Sequence, residues 1–293
     1  MSDKIEYYAY KTFEWIVLKT PKKMAKVFLD LLANITFVVD FAHKKVCQAN
    51  LDLAFGESLT QSRKIEIIKN SYKSIFYNLY EFVINQNLSS DQIVSKAKVV
   101  NENFMLDALA SKKPIIMITA HYGNWEMISL FCSIKYKPMA VVGRPLDNDL
   151  LNDDLRKARN QQNCQMLDRT GASKGIIKAI KEDKMIGLVI DQHIGEDKGG
   201  IWIKAFGREA LQSDSPARLA LKFDGIILPA FAIMKDLGNY EIKFLEPVDL
   251  GSNDIYEITQ AQSDLIEKQI REYPDVWFWQ HKRWKGKFKH IYQ

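Results

Sequence analysis

The sequence is poor in the residues and motifs that define several large classes of protein. It has only 3 cysteines in 293 residues, Cys47, Cys132 and Cys164, and their number is odd and their spacing wide. That pattern predicts no disulfide framework and no paired-cysteine metal site, and it suits a reducing compartment. A Walker lysine loop, a GxGxxG fingerprint and an HExxH pair are also missing. The sequence therefore predicts no nucleotide cofactor and no metal.

Long uninterrupted apolar runs are missing as well. The longest candidate, residues 24–42, contains Lys26, Asp30 and Asp40, whereas a transmembrane helix needs about 20 mostly apolar residues. The first residues also lack the basic stretch, apolar core and cleavage site of a secretory signal peptide. We therefore expect neither a clean membrane span nor a cleaved signal.

The composition that is present is typical of a folded protein of considerable size. The chain is 47% hydrophobic and 26% charged, which excludes a disordered protein and provides for a large core. The formal net charge is +5, from 41 basic and 36 acidic residues, so the total identifies no partner. The basic residues are unevenly distributed, because segment 281–293 contains lysine and arginine but no acidic residue.

An amphipathic helix is predicted near the N-terminus. Apolar residues recur at helical spacing from Met24 to Ala42, and lysines flank this stripe at both ends. The stripe could pack on the protein's own core. It could also lie in a membrane interface, where lysines and aromatic side chains border an apolar face.

The most informative stretch is Pro-Ile-Ile-Met-Ile-Thr-Ala-His-Tyr-Gly-Asn-Trp-Glu at residues 114–126. Its uncharged run from Ile115 to Ala120 predicts a strand that is buried on both faces of a parallel sheet. Residues after it have helical spacing, so His121 is expected at the carboxyl end of the strand, where open α/β sheets bind ligands. Glu126 is expected in the first turn of the helix.

His121 and Glu126 form a candidate catalytic pair. On one helix, residues five apart point about 140° away from each other, but a histidine on the preceding turn can face the glutamate. A carboxylate beside an imidazole fixes its tautomer and raises its basicity, as a general base requires. The alternative from spacing alone is a capped turn whose histidine only makes a hydrogen bond.

Two further predicted strands end in polar residues. The strand at 139–142 is soon followed by Arg144, and the strand at 185–190 is followed by Asp191. Because parallel strands bring their carboxyl ends to one edge, these side chains should meet His121 there. An arginine also offers a planar fork of donors for phosphate or carboxylate. A surface arginine before a turn and a turn-forming aspartate would explain the same two residues.

These motifs resemble the late acyltransferases of lipid A biosynthesis, the lauroyl and myristoyl transferase family. HYGNWE at 121–126 is similar to the H-x4-D/E signature of that family, and RPLDN at 144–148, with Arg159 downstream, is similar to its R-P-x-x-N block. DQ at 191–192, followed by glycines and an F-G, and SPARLA at 215–220 resemble later blocks. The resemblance spans roughly residues 100–286 in order.

The resemblance implies a fold and a reaction. The expected fold is α/β, of the glycerolipid acyltransferase-like kind, with a mixed, largely parallel sheet flanked by helices and an N-terminal membrane-associating segment. We predict membrane-associating helices in residues 1–45 and the acyltransferase domain in residues 46–293. The implied reaction moves a fatty acyl group from acyl-acyl carrier protein to a hydroxyl of a Kdo-bearing lipid A precursor. The implied location is the cytoplasmic face of the inner membrane, with no nucleic-acid partner.

The family also implies roles for individual residues. His121 is expected to be the general base, oriented by Glu126, with Arg144 and Asp191 as further catalytic residues. Backbone N–H groups around Gly123 are expected to stabilise the oxyanion of the reaction. The substrate-binding residues predicted in this way are Gly123, Asn124, Arg159 and Arg218.

The last segment interleaves aromatic and basic residues. Such a segment could stack nucleotides or lie at an anionic membrane surface. Its sequence W-x-W-x-H-x-R-W at 277–284 resembles the ending of the acyltransferase family, which favours the membrane. His281, within it, is expected to be structural.

Two alternatives stay open. The same blocks resemble phosphatidylinositol mannoside acyltransferases, so the acceptor could be another glycolipid. A non-catalytic lipid-binding protein of the membrane surface is the alternative from another class, and the intact His121, Glu126 and Arg144 argue against it.

Overall fold

The computed structural model describes residues 2–146 and 148–293. Asp147, where the sequence predicts the start of a helix, lies outside the described residues. The helices are α1 (Ser2–Lys19), α2 (Lys22–Val39), α3 (Phe41–Phe55), α4 (Gln61–Asn85), α5 (Ser90–Ser95), α6 (Glu102–Ala110), α7 (Trp125–Lys135), α8 (Asp149–Arg159), α9 (Ala172–Lys181), α10 (Ser215–Phe223) and α11 (Ile255–Glu272). The strands are β1 (Ala97–Val100), β2 (Ile115–Thr119), β3 (Met139–Gly143), β4 (Cys164–Asp168), β5 (Met185–Val189), β6 (Gly200–Ala205), β7 (Arg208–Ser213), β8 (Ile226–Asp236) and β9 (Asn239–Phe244).

A seven-stranded sheet in the order β1-β9-β8-β2-β5-β3-β4 forms the centre of the fold. β8, β2, β5, β3 and β4 run parallel to one another, whereas β9 runs antiparallel to β8 and parallel to β1. Helices pack on both faces of the sheet. This architecture confirms the predicted α/β fold with a mixed, largely parallel sheet.

β2 shows why the predicted buried strand forms. Every one of its residues is buried, and successive side chains alternate between the two faces of the sheet. Ile116 and Ile118 join the core under α9, α10 and α11, whereas Ile115 and Met117 join the core under α6 and α7. A strand with apolar layers on both sides has no polar face, and its sequence is therefore continuously apolar.

The strands that the sequence does not predict are short or lie away from the sheet centre. β1 and β4 form the two edges of the sheet, and their residues are mostly half-buried. β6 and β7 form a separate antiparallel hairpin. Edge strands need no continuous apolar run, so they lack the pattern that identifies β2.

The N-terminal helices lie on α4 and leave their most apolar side outward. Ala25, Leu29 and Ala33 of α2 are its buried residues, and a small core joins α1 and α2 to α4. The large apolar side chains of α1 and α2 that stay exposed are Ile5, Tyr8, Trp15, Ile16, Leu18, Met24, Val27, Phe28, Leu31, Ile35, Val38 and Val39. We call these residues the apolar helical face.

The predicted domain boundary after residue 45 falls within a continuous helix. α3 spans Phe41–Phe55, so the boundary falls inside it, and the division stays a prediction. None of the helices formed by residues 2–146 and 148–293 is both long and apolar enough to cross a membrane.

The tryptophans of the C-terminal segment are buried in the core, which corrects the prediction that these rings lie at a membrane surface. Trp279 and Trp284 are 0% exposed and Trp277 is 4% exposed. His281 Nε2 accepts a hydrogen bond from the backbone N–H of His193 at 3.0 Å, which supports the structural role expected for it. Aromatic and basic residues alternate here because the rings fill the core while the lysines remain outside.

Candidate active site

The strand order brings the predicted site residues to one edge of the sheet. β2 pairs with β5 in a register that places Thr119 beside Val189, and His121 and Asp191 each follow two residues later. β3 is the next strand beyond β5, and Arg144 follows its last residue. The expectation that these three residues share the carboxyl edge is therefore confirmed.

His121 and Asp191 are in direct contact. His121 Nδ1 lies 2.8 Å from Asp191 Oδ1, and the histidine side chain is 22% exposed whereas the aspartate side chain is 4% exposed. An ionised carboxylate only accepts hydrogen bonds, so Nδ1 carries the proton and Nε2 holds the lone pair. Within residues 2–146 and 148–293, no group hydrogen-bonds Nε2. The pair can therefore act as an oriented general base.

The aspartate stays ionised despite its burial. Burial by itself raises the pKa of the Asp191 carboxyl, but attraction to His121 and hydrogen bonds from His121 and Trp277 outweigh that effect and lower the pKa to about 2. The second carboxylate oxygen, Oδ2, accepts a hydrogen bond from Trp277 Nε1–H at 2.7 Å. The carboxylate is thus negatively charged at every pH at which an imidazole can act as a base.

Glu126 does not occupy the position that the sequence predicts for it. Its carboxylate accepts from Arg159 Nε–H at 3.0 Å and from Arg159 Nη2, and the carboxylate beside His121 is that of Asp191. The role of Glu126 in orienting His121 is therefore corrected. Glu126 lies in the first turn of α7 and Arg159 ends α8, so this two-pronged ion pair joins two helices near the site.

The Glu126–Arg159 pair gives a testable prediction. Glu126→Gln and Arg159→Gln should each lower the free energy of unfolding by roughly 1–3 kcal/mol, because each leaves a half-buried charge without its partner. The double variant should cost little more than either single one, since the two residues act together. Urea denaturation measures this, with Arg156→Gln as the control, because Arg156 pairs with Asp168 in a more exposed ion pair and should change stability less. Additive losses would contradict the pairing.

The role of the backbone N–H groups around Gly123 in stabilising an oxyanion stays a prediction, but the N–H of Gly123 itself is used inside the protein. That N–H donates to the carbonyl oxygen of Val276 at 3.0 Å. The Gly123 carbonyl accepts from Asn78 Nδ2 at 2.6 Å. The residue has a φ of +55°, and a Cβ there would lie 2.1 Å from the carbonyl oxygen of Ala232. Glycine is required because the turn is left-handed and pressed against β8.

Asn124 is also structural rather than substrate-binding. It is 1% exposed, and its side-chain oxygen accepts from the backbone N–H of Met127 at 3.2 Å, which caps α7. Its Nδ2 donates to the hydroxyl of Tyr240 at 2.9 Å. Both ends of the amide are used inside the protein, so no part of it reaches a substrate. The N-cap preference of asparagine explains the residue.

The remaining predicted arginines differ in their surroundings. Arg144 is exposed at the carboxyl end of β3. Arg218 lies on α10, where its Nε donates to Asp214 at 2.6 Å. Arg159 is held by Glu126, as described above. Among the predicted arginines, Arg144 follows β3, which is the strand next to β5. It is therefore placed at the same edge of the sheet as Asp191.

The residue that sequence reasoning missed is Trp277. The alternation of aromatic and basic residues at 277–284 is visible in the sequence, but that pattern predicts a surface segment. In the structure the segment runs beside the His121 turn: Tyr122 and Trp277 form an antiparallel bridge, and Phe278 N–H donates to the carbonyl oxygen of His121 at 2.9 Å. The indole N–H then reaches Asp191.

The chain is similar to known proteins over most of its length. Residues 2–286 match the family described as bacterial lipid A biosynthesis acyltransferase. The lipid A biosynthesis lauroyltransferase of Escherichia coli (strain K12) is 26% identical over 274 residues, which cover 92% of this chain and 88% of that protein. The phosphatidylinositol mannoside acyltransferase of Mycolicibacterium smegmatis is 22% identical over 190 residues, covering 64% of this chain and 62% of that protein. The chain belongs to the bacterial lipid A biosynthesis acyltransferase family.

Proposed function

We propose that this protein transfers a fatty acyl group from acyl-acyl carrier protein to a hydroxyl of a Kdo-bearing lipid A precursor. Membership of the family implies an acyl donor and a lipid acceptor. The observation that supports the chemistry is the contact between His121 Nδ1 and Asp191 at 2.8 Å, with Nε2 directed away from it. No cofactor is needed, because a thioester is already activated for attack by a hydroxyl.

The reaction follows from this geometry. Nε2 of His121 takes the proton of the acceptor hydroxyl while the oxygen attacks the thioester carbonyl, which gives a tetrahedral intermediate. The C–S bond then breaks, and the imidazolium returns its proton to the departing thiolate. Asp191 stabilises the imidazolium between the two steps and keeps the ring in one orientation.

Arg144 is proposed to bind the anionic part of the acceptor. Neighbouring strands are about 4.8 Å apart, so β3, the second strand from β2, lies about 10 Å from the strand that bears His121. That distance suits a phosphate elsewhere on a glycolipid better than the oxyanion at the reacting carbon. The net charge of +5 suits both a phosphorylated lipid and an acidic carrier protein.

The apolar helical face is proposed to lie in the cytoplasmic surface of the inner membrane. Val27 is 70% exposed, Leu31 55% and Val38 61%, all on α2. A contiguous apolar surface of this kind is typical of a helix in the membrane interface. Such a helix would hold the sheet edge close to a lipid acceptor.

Charged substitutions test this placement. The triple variant Val27→Asp, Leu31→Asp and Val38→Asp should lower the partition coefficient onto anionic phospholipid vesicles roughly 100-fold or more, because three large side chains no longer enter the apolar layer. Vesicle co-sedimentation measures the change. Leu106→Asp is the matched control, because Leu106 is 52% exposed on α6 and away from this face. Equal binding by the triple variant and the unmodified protein would contradict the placement.

Mass spectrometry tests the proposed reaction. The protein is incubated in vesicles with a Kdo-bearing lipid A precursor and a mixture of acyl-acyl carrier proteins, and one added acyl mass is expected. His121→Ala should abolish it. His43→Ala should not, although His43 also pairs with an aspartate, Asp40, at 2.9 Å on the surface.

Each other result has a distinct meaning. No added mass from folded, vesicle-bound protein would overturn the lipid A assignment, and a phosphatidylinositol mannoside would be the next acceptor, given the relative from Mycolicibacterium smegmatis. An added mass that survives in His121→Ala would overturn the mechanism. Unchanged lipid binding without any transfer would favour a non-catalytic lipid-binding protein.

A further inference from the structure

The C-terminal segment pairs with the turn that carries His121. Gly123 N–H donates to Val276 at 3.0 Å, and Phe278 N–H donates to His121 at 2.9 Å. The backbone between these two bonds therefore runs antiparallel to the turn that follows β2. Trp277 is the residue at the centre of that pairing.

The indole of Trp277 reaches past the turn to the carboxylate behind His121. Its Nε1–H donates to Asp191 Oδ2 at 2.7 Å, while Asp191 Oδ1 lies 2.8 Å from His121 Nδ1. Each carboxylate oxygen thus has a side-chain partner, and the two hydrogen bonds act together to fix the rotation of the carboxylate. An aspartate side chain held at only one oxygen could turn about its last bond and carry the imidazole with it.

The indole itself is immobilised by other aromatic rings. Trp279 meets it edge-on with ring centroids 4.5 Å apart, and Phe206 stacks on it at 6.3 Å. The backbone carbonyl of Trp277 also accepts from the hydroxyl of Ser71 at 2.9 Å. A donor held so firmly can direct a carboxylate without loss of its own side-chain entropy at each turnover.

The same segment contributes a buried positive charge. Arg283 is 3% exposed, and its guanidinium donates to the carbonyl oxygen of Leu211 at 2.6 Å and to Gln212 Oε1 at 2.9 Å. Both acceptors are neutral, so the charge of Arg283 is not cancelled by its hydrogen-bond partners. Asp191 attracts this cation through space. The segment therefore supplies both a direct donor and a favourable field to the carboxylate.

We propose that Trp277 is a positioning residue for the His121–Asp191 pair, and that the C-terminal segment is part of the catalytic apparatus. Only the kinetic test of this role rests on the proposed function. The indole N–H holds Asp191 so that Nε2 of His121 faces the acceptor hydroxyl. The aromatic rings of this ending then support the general base.

Trp277→Phe removes the N–H and keeps a buried ring. The value of kcat should fall roughly 10- to 100-fold, because a charge-assisted hydrogen bond to a buried carboxylate is lost, while KM for donor and acceptor stays the same. In the Asp191→Asn background, Trp277→Phe should cost little further activity, because it acts through Asp191. Trp202→Phe is the control: Trp202 is a half-buried tryptophan on β6, outside the C-terminal segment, and its replacement should leave kcat per folded molecule within about twofold.

A second variant covers the possibility that Trp277→Phe fails to fold. Benzothienylalanine at position 277, placed by codon suppression, replaces the N–H by sulfur and keeps the bicyclic shape. It should reproduce the loss of kcat. Normal kcat in this variant, additive effects with Asp191→Asn, or an equal loss in Trp202→Phe would each overturn the proposal.

A spectroscopic measurement separates this proposal from the proposed function. The proton on His121 Nδ1 should give a low-field NMR resonance in the protein without substrate, identified by its absence in His121→Ala. Trp277→Phe should shift or broaden that resonance, and Trp202→Phe should leave it unchanged. If the protein transfers no acyl group but the resonance responds in this way, the reaction assignment fails and the positioning role stands. An unaltered resonance in Trp277→Phe overturns the positioning role whatever the reaction is.

Discussion

Asp191→Asn is expected to lower kcat roughly 10³- to 10⁴-fold while the fold is retained, by analogy with the loss of a triad aspartate. The amide can still accept the indole hydrogen bond at Oδ1, so Trp277 keeps a partner. Its NH₂ group, however, would face Nδ1 of His121 and donate to it. The imidazole would then carry its proton on Nε2, where it can no longer accept the proton of the hydroxyl.

The measurement is the initial rate of acyl transfer at saturating donor and acceptor, with folding checked by thermal unfolding. Asp168→Asn is the matched control, because Asp168 also ends a strand, β4, but pairs with Arg156 and not with His121. It should change kcat less than about threefold. Substantial activity in Asp191→Asn together with complete loss in Glu126→Gln would restore Glu126 as the partner of His121.

The correction from Glu126 to Asp191 shows which part of the site the sequence can predict. The turn position of His121 follows from β2, whose continuous apolar run is unambiguous. The partner depends on strand order, because β5 lies between β2 and β3 although it follows β3 in the chain. The sequence predicts that Asp191 and His121 share an edge of the sheet. Hydrophobic patterning does not give strand order, however, so the sequence favours the glutamate close to His121 as its partner.

The roles of Asn124 and Trp277 are not predicted correctly, for two different physical reasons. The preference of asparagine for the N-cap of a helix is sufficient to predict the structural role of Asn124. The family resemblance implies substrate binding instead. No local sequence preference predicts the role of Trp277. A segment that alternates aromatic and basic residues has the same composition whether its rings enter a membrane or the core, and the acceptors of its indole N–H groups are distant in sequence.

Gly123→Ala is expected to destabilise the protein by roughly 3–5 kcal/mol and to lower kcat as well. A left-handed φ, here +55°, costs an L-residue roughly 1–2 kcal/mol. The larger part of the loss is steric: the new methyl group would lie 2.1 Å from the carbonyl oxygen of Ala232. That oxygen belongs to β8 and accepts from Asn124 N–H at 2.9 Å, so neither side can move without breaking a bond that holds the turn.

Gly207→Ala separates the two contributions. Gly207 has a φ of +71°, and a Cβ there meets nothing within 4 Å, so it should cost only the roughly 1–2 kcal/mol of the backbone conformation. Urea denaturation of both variants measures the difference, and equal losses would show that the turn can move away from β8. His121 lies two residues before Gly123, and a displacement of 1 Å at a catalytic group can cost about 100-fold in rate. The fall in kcat should therefore exceed what the unfolded fraction explains, because the contact that selects glycine at this turn also fixes the position of the base.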